Sequence, residues 1–264
     1  MRRNPALPMT RRFALLLAVL LLGIILPSAR SAGPAHIVFM IGEDEYHTWE
    51  TLPQFAERDL KPLGYRITII NADAADKNNF PGLTDALRDA DLLFLSVRRR
   101  TPPKEQLDAV RAHLAAGRPL VGIRTACHAF ALRPNDRLAD PKLAVWQEFD
   151  PEVLGGNYTG HHGKDKVSVT LATGTEAHPI LQGVTIAKLI GNGGLYKVSP
   201  LAKDTTPLLT GTIAGQPAEP VAWTRLCGEK RARIAYTSLG HWDDFQDADF
   251  RRFLVNTVAW ALAK

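Results

Sequence analysis

From residue 35 onwards the chain alternates short, continuously apolar runs with segments whose apolar residues recur at helical spacing. A strand buried on both faces needs such a run, and an amphipathic segment between two runs covers the sheet they form. The pattern predicts strands at 36–41, 66–70, 91–97 and 119–123. Helices are expected at 49–63, stopped by Gly64, at 83–89, and from Thr101-Pro102 (N-cap, then N1 proline) to Gly117. Further strands are expected at 166–172, 207–212, 220–226 and 231–239, the last two joined by Cys227-Gly228-Glu229-Lys230. A helix over 247–262 closes the chain and buries Phe250, Phe253, Leu254, Val258 and Ala261. Between 132 and 163 the periodicity weakens around Pro134, Pro141 and Pro151, and a connection of that length is expected to carry function or small helices of its own. The expected fold class is α/β, a mainly parallel sheet in a three-layer sandwich, as one domain over 32–264.

The sharpest local feature is GRPLVGIRTACHAF, residues 117–130. Gly122 and Ala126 stand two positions either side of Arg124, the spacing of a strained strand-to-helix elbow that raises one side chain above a sheet. In hydrolases of that design the raised residue is a nucleophile. Arginine, charged at every physiological pH, attacks nothing.

The first residues change the electrostatic picture. Arg2, Arg3, Arg11 and Arg12 precede an apolar run over 13–26 that Pro27 closes, and Ala29-Arg30-Ser31 follows as a small-x-small cleavage pattern. The run is short for a membrane span, so 1–31 reads as a signal peptide and the protein as exported, periplasmic or extracellular; an uncleaved anchor is the rival. Five of the 32 Lys and Arg and none of the 27 Asp and Glu lie in this leader, leaving 27 against 27. A neutral mature chain gives no reason to expect nucleic acid, or a membrane beyond the export signal, as partner. Two cysteines make no disulfide framework; Cys127 is expected to be buried past the elbow and Cys227 to sit at a hairpin tip, with a bridge between them as the less favoured alternative.

Ligands of open parallel sheets bind beyond the carboxyl ends of the strands, near the point where strand order reverses. Here those ends carry residues 43–47, Arg98, residues 124–128 and residues 241–244, and the irregular segment with Tyr158, His161 and His162 is the natural lid. The motifs GIRTACHAF, GGNYTGHH, AHPIL-x-G, LYKVSPL, PVAWTR and YTSLGHWDDF together resemble the ThuA-like (trehalose utilisation) family, from about residue 35 to the C-terminus. The resemblance implies a class I glutamine amidotransferase-like, flavodoxin-like fold and a role in disaccharide or keto-sugar catabolism. Aligning GIRTA with the amidotransferase elbow puts Arg124 in the cysteine's place and leaves Cys127 three residues on. Some relatives carry an acid just before the LY motif, where this chain has Gly193 and Gly194.

The candidate acid–base residues are Glu43, His47, His128, His162 and His241, and the candidate binding residues are Arg98, Arg124, Tyr46, Tyr158, Trp242 and Asp244. Each has a plain structural alternative: an ion pair of Arg124 with Glu43 or Asp44, a backbone-bonded core histidine at 128, caps at 47 and 241. His161 and His162 are adjacent, so in an extended segment at most one faces the site. No Rossmann or Walker pattern occurs; a divalent metal held by His47, His162, His241 and Asp244 is the one cofactor candidate. The expected chemistry is acid–base work beside a sugar carbonyl, with a His or Glu base and Arg124 or a metal on the enediolate. A non-catalytic sugar-binding or accessory protein is the alternative, and a hydrolase using Cys127 a third reading.

Overall fold

The computed structural model describes Met1 and residues 33–138 and 140–263, so the leader and its cleavage site lie outside the described residues. Residues Pro34–Lys264 form one compact unit. Of Met1–Gly33, only the two end residues are described.

The strands, in chain order, are β1 (His36–Gly42), β2 (Arg66–Asn71), β3 (Leu92–Val97), β4 (Leu120–Ile123), β5 (Gly160–His162), β6 (Val167–Leu171), β7 (Ile190–Gly191), β8 (Leu195–Lys197), β9 (Thr205–Thr212), β10 (Glu219–Cys227) and β11 (Ala232–Thr237). The helices are α1 (Thr48–Phe55), α2 (Leu83–Arg88), α3 (Lys104–Ala115) and α4 (Ala248–Leu262). The main sheet runs β2-β1-β3-β4-β11-β10-β9-β6-β7. Its β2-β1-β3-β4-β11 half is parallel and the remainder antiparallel. A separate ribbon pairs β5 with β8.

Because side chains alternate across a strand, each β1 residue joins one of two cores. Ile37, Phe39 and Ile41 pack with Leu52, Phe55, Phe250 and Phe253, from α1 and α4. Val38 and Met40 pack with Leu83, Leu87, Leu107 and Val110, from α2 and α3. This is the flavodoxin-like three-layer α/β arrangement. The chain leaves β1 to β2 on one side and returns past it to β3, so strand order reverses between β1 and β3, beside the elbow on β4.

Two helices depart from the sequence pattern, both through proline. The segment expected as one helix over 49–63 is α1, then a π turn at Ala56–Leu60 and a 3-10 turn at Lys61–Leu63. Pro62 has no N–H to continue the α ladder, and Gly64 ends the stretch at φ 86°. Helix α3 starts at Lys104 rather than just after Thr101, because Pro103 keeps Pro102 out of the helical region and itself becomes the N-cap. Thr101 instead donates its backbone N–H to Asn78 Oδ1 at 2.9 Å. Strands β5, β7 and β8, two or three residues each, are too short to leave a periodic signal.

Candidate functional site

Among the described residues four non-glycines have positive φ, and three of them sit just beyond parallel strands: His47 (53°) after β1, Arg99 (50°) after β3 and Arg124 (49°) after β4. Such conformations cost on the order of 1–3 kcal/mol each, so the surrounding structure holds them in place. The elbow is therefore real. Ile123 is extended, Arg124 is left-handed, and a 3-10 turn over Arg124–His128 follows. Tyr236, on the neighbouring β11, donates its hydroxyl to Arg124 O at 2.6 Å and fixes the bend.

Arg124 is 2% exposed. Neither expected partner, Glu43 or Asp44, reaches it, and among the described residues no carboxylate pairs with it. Its guanidinium lies between two phenol rings, 4.4 Å from the Tyr46 centroid and 4.3 Å from that of Tyr196. Nη1 donates to Ser238 O at 2.6 Å and more weakly to Gly194 O at 3.4 Å, while Nη2 donates to Gly193 O and to Tyr46 Oη. Burial of a cation is tolerated when dipoles and π faces replace water, and here carbonyls and rings do so. The direct ligand-gripping role expected of Arg124 is corrected by this geometry. Its Nη donors are taken, and Nε, without a partner, is buried. Arg124 positions Tyr46, Tyr196 and the 193–194 turn.

The acids near the elbow are similarly committed. Glu43 is 2% exposed and accepts from Glu45 N, Tyr46 N, Thr48 N and Thr48 Oγ1, all within 2.6–2.7 Å. It caps the start of α1, and its oxygens are occupied, unlike those of a free base. Asp244 does the same on the far side: Oδ2 accepts from Gly240 N and His241 N at 2.7 and 3.0 Å, and Oδ1 accepts from the backbone and side-chain amides of Asn192 at 3.0 and 2.7 Å. Arg98 pairs with Glu45 at 2.9 Å on the surface, and Arg100 with Asp44. These two pairs tie the β1 and β3 ends together.

The imidazoles divide into two groups. His128 is 5% exposed, its ring stacked on Tyr158 at 4.4 Å, with Nδ1 3.2 Å from Cys127 Sγ. Burial, reinforced by Arg99, Arg98 and Arg124, pushes its pKa well below the usual histidine range, so it is neutral. His241 is 9% exposed, edge-on to Tyr46 at 5.8 Å and 3.6 Å from the Trp242 centroid. Burial lowers its pKa too, and because Nδ1 accepts from Asp243 N at 3.3 Å, Nε2 carries the proton. His47 continues this wall, half-exposed, 5.2 Å from Trp242 and stacked on Trp49 at 4.7 Å. His162 does not belong to it. The β5–β8 register sets His161 opposite Tyr196 and His162 opposite Leu195, so His162 lies on the other face of the ribbon, 3.6 Å from Glu219.

The four expected metal ligands are thus not one site: Asp244 is consumed in capping and His162 faces away. Among the described residues no three His, Cys, Asp or Glu side chains form a metal-binding group. The hydrolase reading also loses its nucleophile, since Cys127 is 3% exposed and burial raises its thiol pKa well above the ordinary value. Both cysteines are free.

Three residues here escaped the sequence pattern. Tyr196 sits inside LYKVSPL but faces Arg124 and Tyr158 only through the ribbon register, its ring 4.9 Å from that of Tyr158. Trp49 is signalled only by its place two residues after His47. Asp150, 5% exposed, accepts Tyr158 N at 2.7 Å on Oδ2, and burial pushes its pKa up to about 7.

These features define a flavodoxin-like α/β protein whose elbow presents a buried arginine surrounded by aromatic and imidazole rings. The family model for ThuA, trehalose utilisation, matches residues 47–261, and the chain belongs to that family. Membership gives it a role related to trehalose utilisation. The fold is shared with a protein described as ThuA-like from Bacteroides uniformis, at 20% identity and TM-score 0.59, covering 89% of this chain and 95% of that one. A second ThuA-like structure, from Parabacteroides merdae, aligns at 15% identity and TM-score 0.57 over 87% and 90% of the two chains. A β-galactosidase from Rahnella sp. R3 shares the fold over 86% of this chain and 32% of its own, at 14% identity and TM-score 0.54. No curated protein matches the sequence.

Proposed function

We propose that this is an exported ThuA-family protein of disaccharide or keto-sugar catabolism, which holds a sugar in the cleft above β1, β4 and β11 and moves a proton beside its carbonyl. The supporting observation is the set of rings on either side of the buried Arg124: Tyr46, His241 and Trp242 on one side, Tyr196, His128 and Tyr158 on the other. Sugar rings have apolar C–H faces and polar edges, so they stack on aromatic faces while polar tips take their hydroxyls. His241, with Nε2–H as donor, polarises the carbonyl oxygen. His128, the neutral imidazole beside Tyr158 and Tyr196, abstracts the adjacent proton. Arg124 lends its charge through Tyr46 and Tyr196 without touching the ligand. Export rests on the leader pattern over 1–31.

Solvent-deuterium incorporation tests the chemistry. Mature protein in D2O with keto forms of disaccharides is expected to exchange the proton next to the carbonyl, and His128→Ala to abolish exchange while retaining binding. The second reading, a sugar-binding protein without turnover, is favoured by the commitment of Glu43 and Asp244 to caps. Binding without exchange in the wild type selects it. Absence of both binding and exchange across the panel overturns both readings.

A further inference from the structure

Trp49 is 38% exposed, one of the few large apolar side chains open to solvent. Its ring stacks on His47 at 4.7 Å with the planes 23° apart, which leaves the opposite indole face uncovered by that contact. Trp49 also walls a second depression of about 290 Å³ at the carboxyl ends of β1 and β2, whose floor includes Gly42 and Ala72. That volume is close to the lower limit of about 300 Å³ for small-molecule sites. The polar lining is Asp44, Asn71 and Lys77, with Glu43, whose oxygens are already taken by the amides of the following turn. Asp44 is held there by Arg100 and by Lys77 at 3.4 Å, so an ionised acceptor and an ammonium donor stand side by side. The Asn71 amide has no hydrogen-bond partner among the described residues. A flat apolar wall facing a carboxylate, an amide and an ammonium matches one sugar ring, whose C–H face stacks while its edge hydroxyls donate and accept.

We propose that this depression is a second sugar subsite, with Trp49 as its platform and Asp44, Asn71 and Lys77 as its hydroxyl partners, so that the ligand is a disaccharide or longer. The inference rests on the sugar-binding reading of the main cleft. One ring lies against Trp242 and His241, and the next passes His47 to reach Trp49. Trp242 and Trp49 both contact the His47 ring, at 5.2 and 4.7 Å between ring centroids, so a chain of touching rings links the two places.

Calorimetric titration of the mature protein with glucose, maltose and trehalose provides the test. At least one disaccharide is expected to bind about tenfold or more tightly than glucose. Trp49→Ala is expected to lower the disaccharide-to-glucose affinity ratio by about tenfold, and Trp49→Phe to restore most of it. Asn71→Ala, which leaves the His47 stack in place, lowers the same ratio severalfold. If the wild type binds sugar but neither Trp49→Ala nor Asn71→Ala changes the ratio, the subsite is overturned and the main-cleft reading stands. If the wild type binds none of the three, the reading fails and the subsite falls with it. Should Trp49→Ala not fold, Asn71→Ala alone decides.

Discussion

Arg124 shows why identity at a position and role at a position are separate questions. The elbow was legible because Gly122 and Ala126 are local, within two residues of the bend. Its partners were not, since Gly193 and Ser238 lie 69 and 114 residues away and present carbonyls, which any residue type supplies. Arg124→Met is therefore expected to destabilise the fold as well as disturb the cleft. It orphans several buried carbonyls at about 1–3 kcal/mol each, so a loss of about 3–5 kcal/mol in urea unfolding is anticipated. Arg124→Lys should recover little, because an ammonium cannot stack between two rings and bond several carbonyls at once. Asp150 makes a second residue-scale prediction. Its folded pKa of about 7 lies above the unfolded value of 3.8, so the folded state holds the extra proton between those limits. Its contribution is complete below pH 3.8 and is lost as pH rises through about 7, up to about 4 kcal/mol over the window. Asp150→Asn, which cannot ionise, should flatten the fall in urea midpoint between pH 4 and 7; an unchanged slope would exclude Asp150 as its source.

Among the elements, the connections after β1 and β11 use one device, a buried carboxylate whose oxygens accept the amides of the turn that follows. Glu43 organises 45–48 and places Tyr46 and His47; Asp244 organises 240–241 and ties in Asn192. From the sequence, Glu43 is a candidate base and Asp244 a candidate binding or metal residue. A capping carboxylate and a catalytic one look alike in a sequence, because the distinction lies in how many amides converge on them. Glu43→Gln offers the converging N–H groups an amide nitrogen in place of one oxygen, at about 1–3 kcal/mol. Loss of sugar binding should accompany that cost through displacement of Tyr46, read as a ligand-affinity change in protein still folded by circular dichroism. The long strands and α4 were legible since the strands are continuous apolar runs and α4 repeats its apolar residues at helical spacing. The β5–β8 ribbon was not, and its register alone decides that His161 rather than His162 shares the face of Tyr196.

Across the whole molecule, the parallel half supplies the elbow and the antiparallel extension supplies what closes over it. Strand β4 leads directly into Arg124, whereas Gly193 and Gly194 belong to the turn between β7, at the far edge of the sheet, and β8. The glycine at 193 thus has a steric explanation: a Cβ there would overlap the Arg124 guanidinium. A side chain that can swing aside normally relieves such an overlap. This one is clamped between Tyr46 and Tyr196 and bonded to Ser238 O, so the turn must move instead. Gly193→Ala is then expected to cost about 1–3 kcal/mol and to loosen the 192–194 turn from Asp244. Hydrogen exchange at the Asn192 amide, which donates to Asp244 Oδ1 at 3.0 Å, reads this directly. Faster exchange at Asn192 with unchanged protection in β1 and β3 would show that the two halves meet through Arg124. Equal protection throughout would mean that the turn is held independently of the arginine, and the coupling of the halves would have to be sought elsewhere.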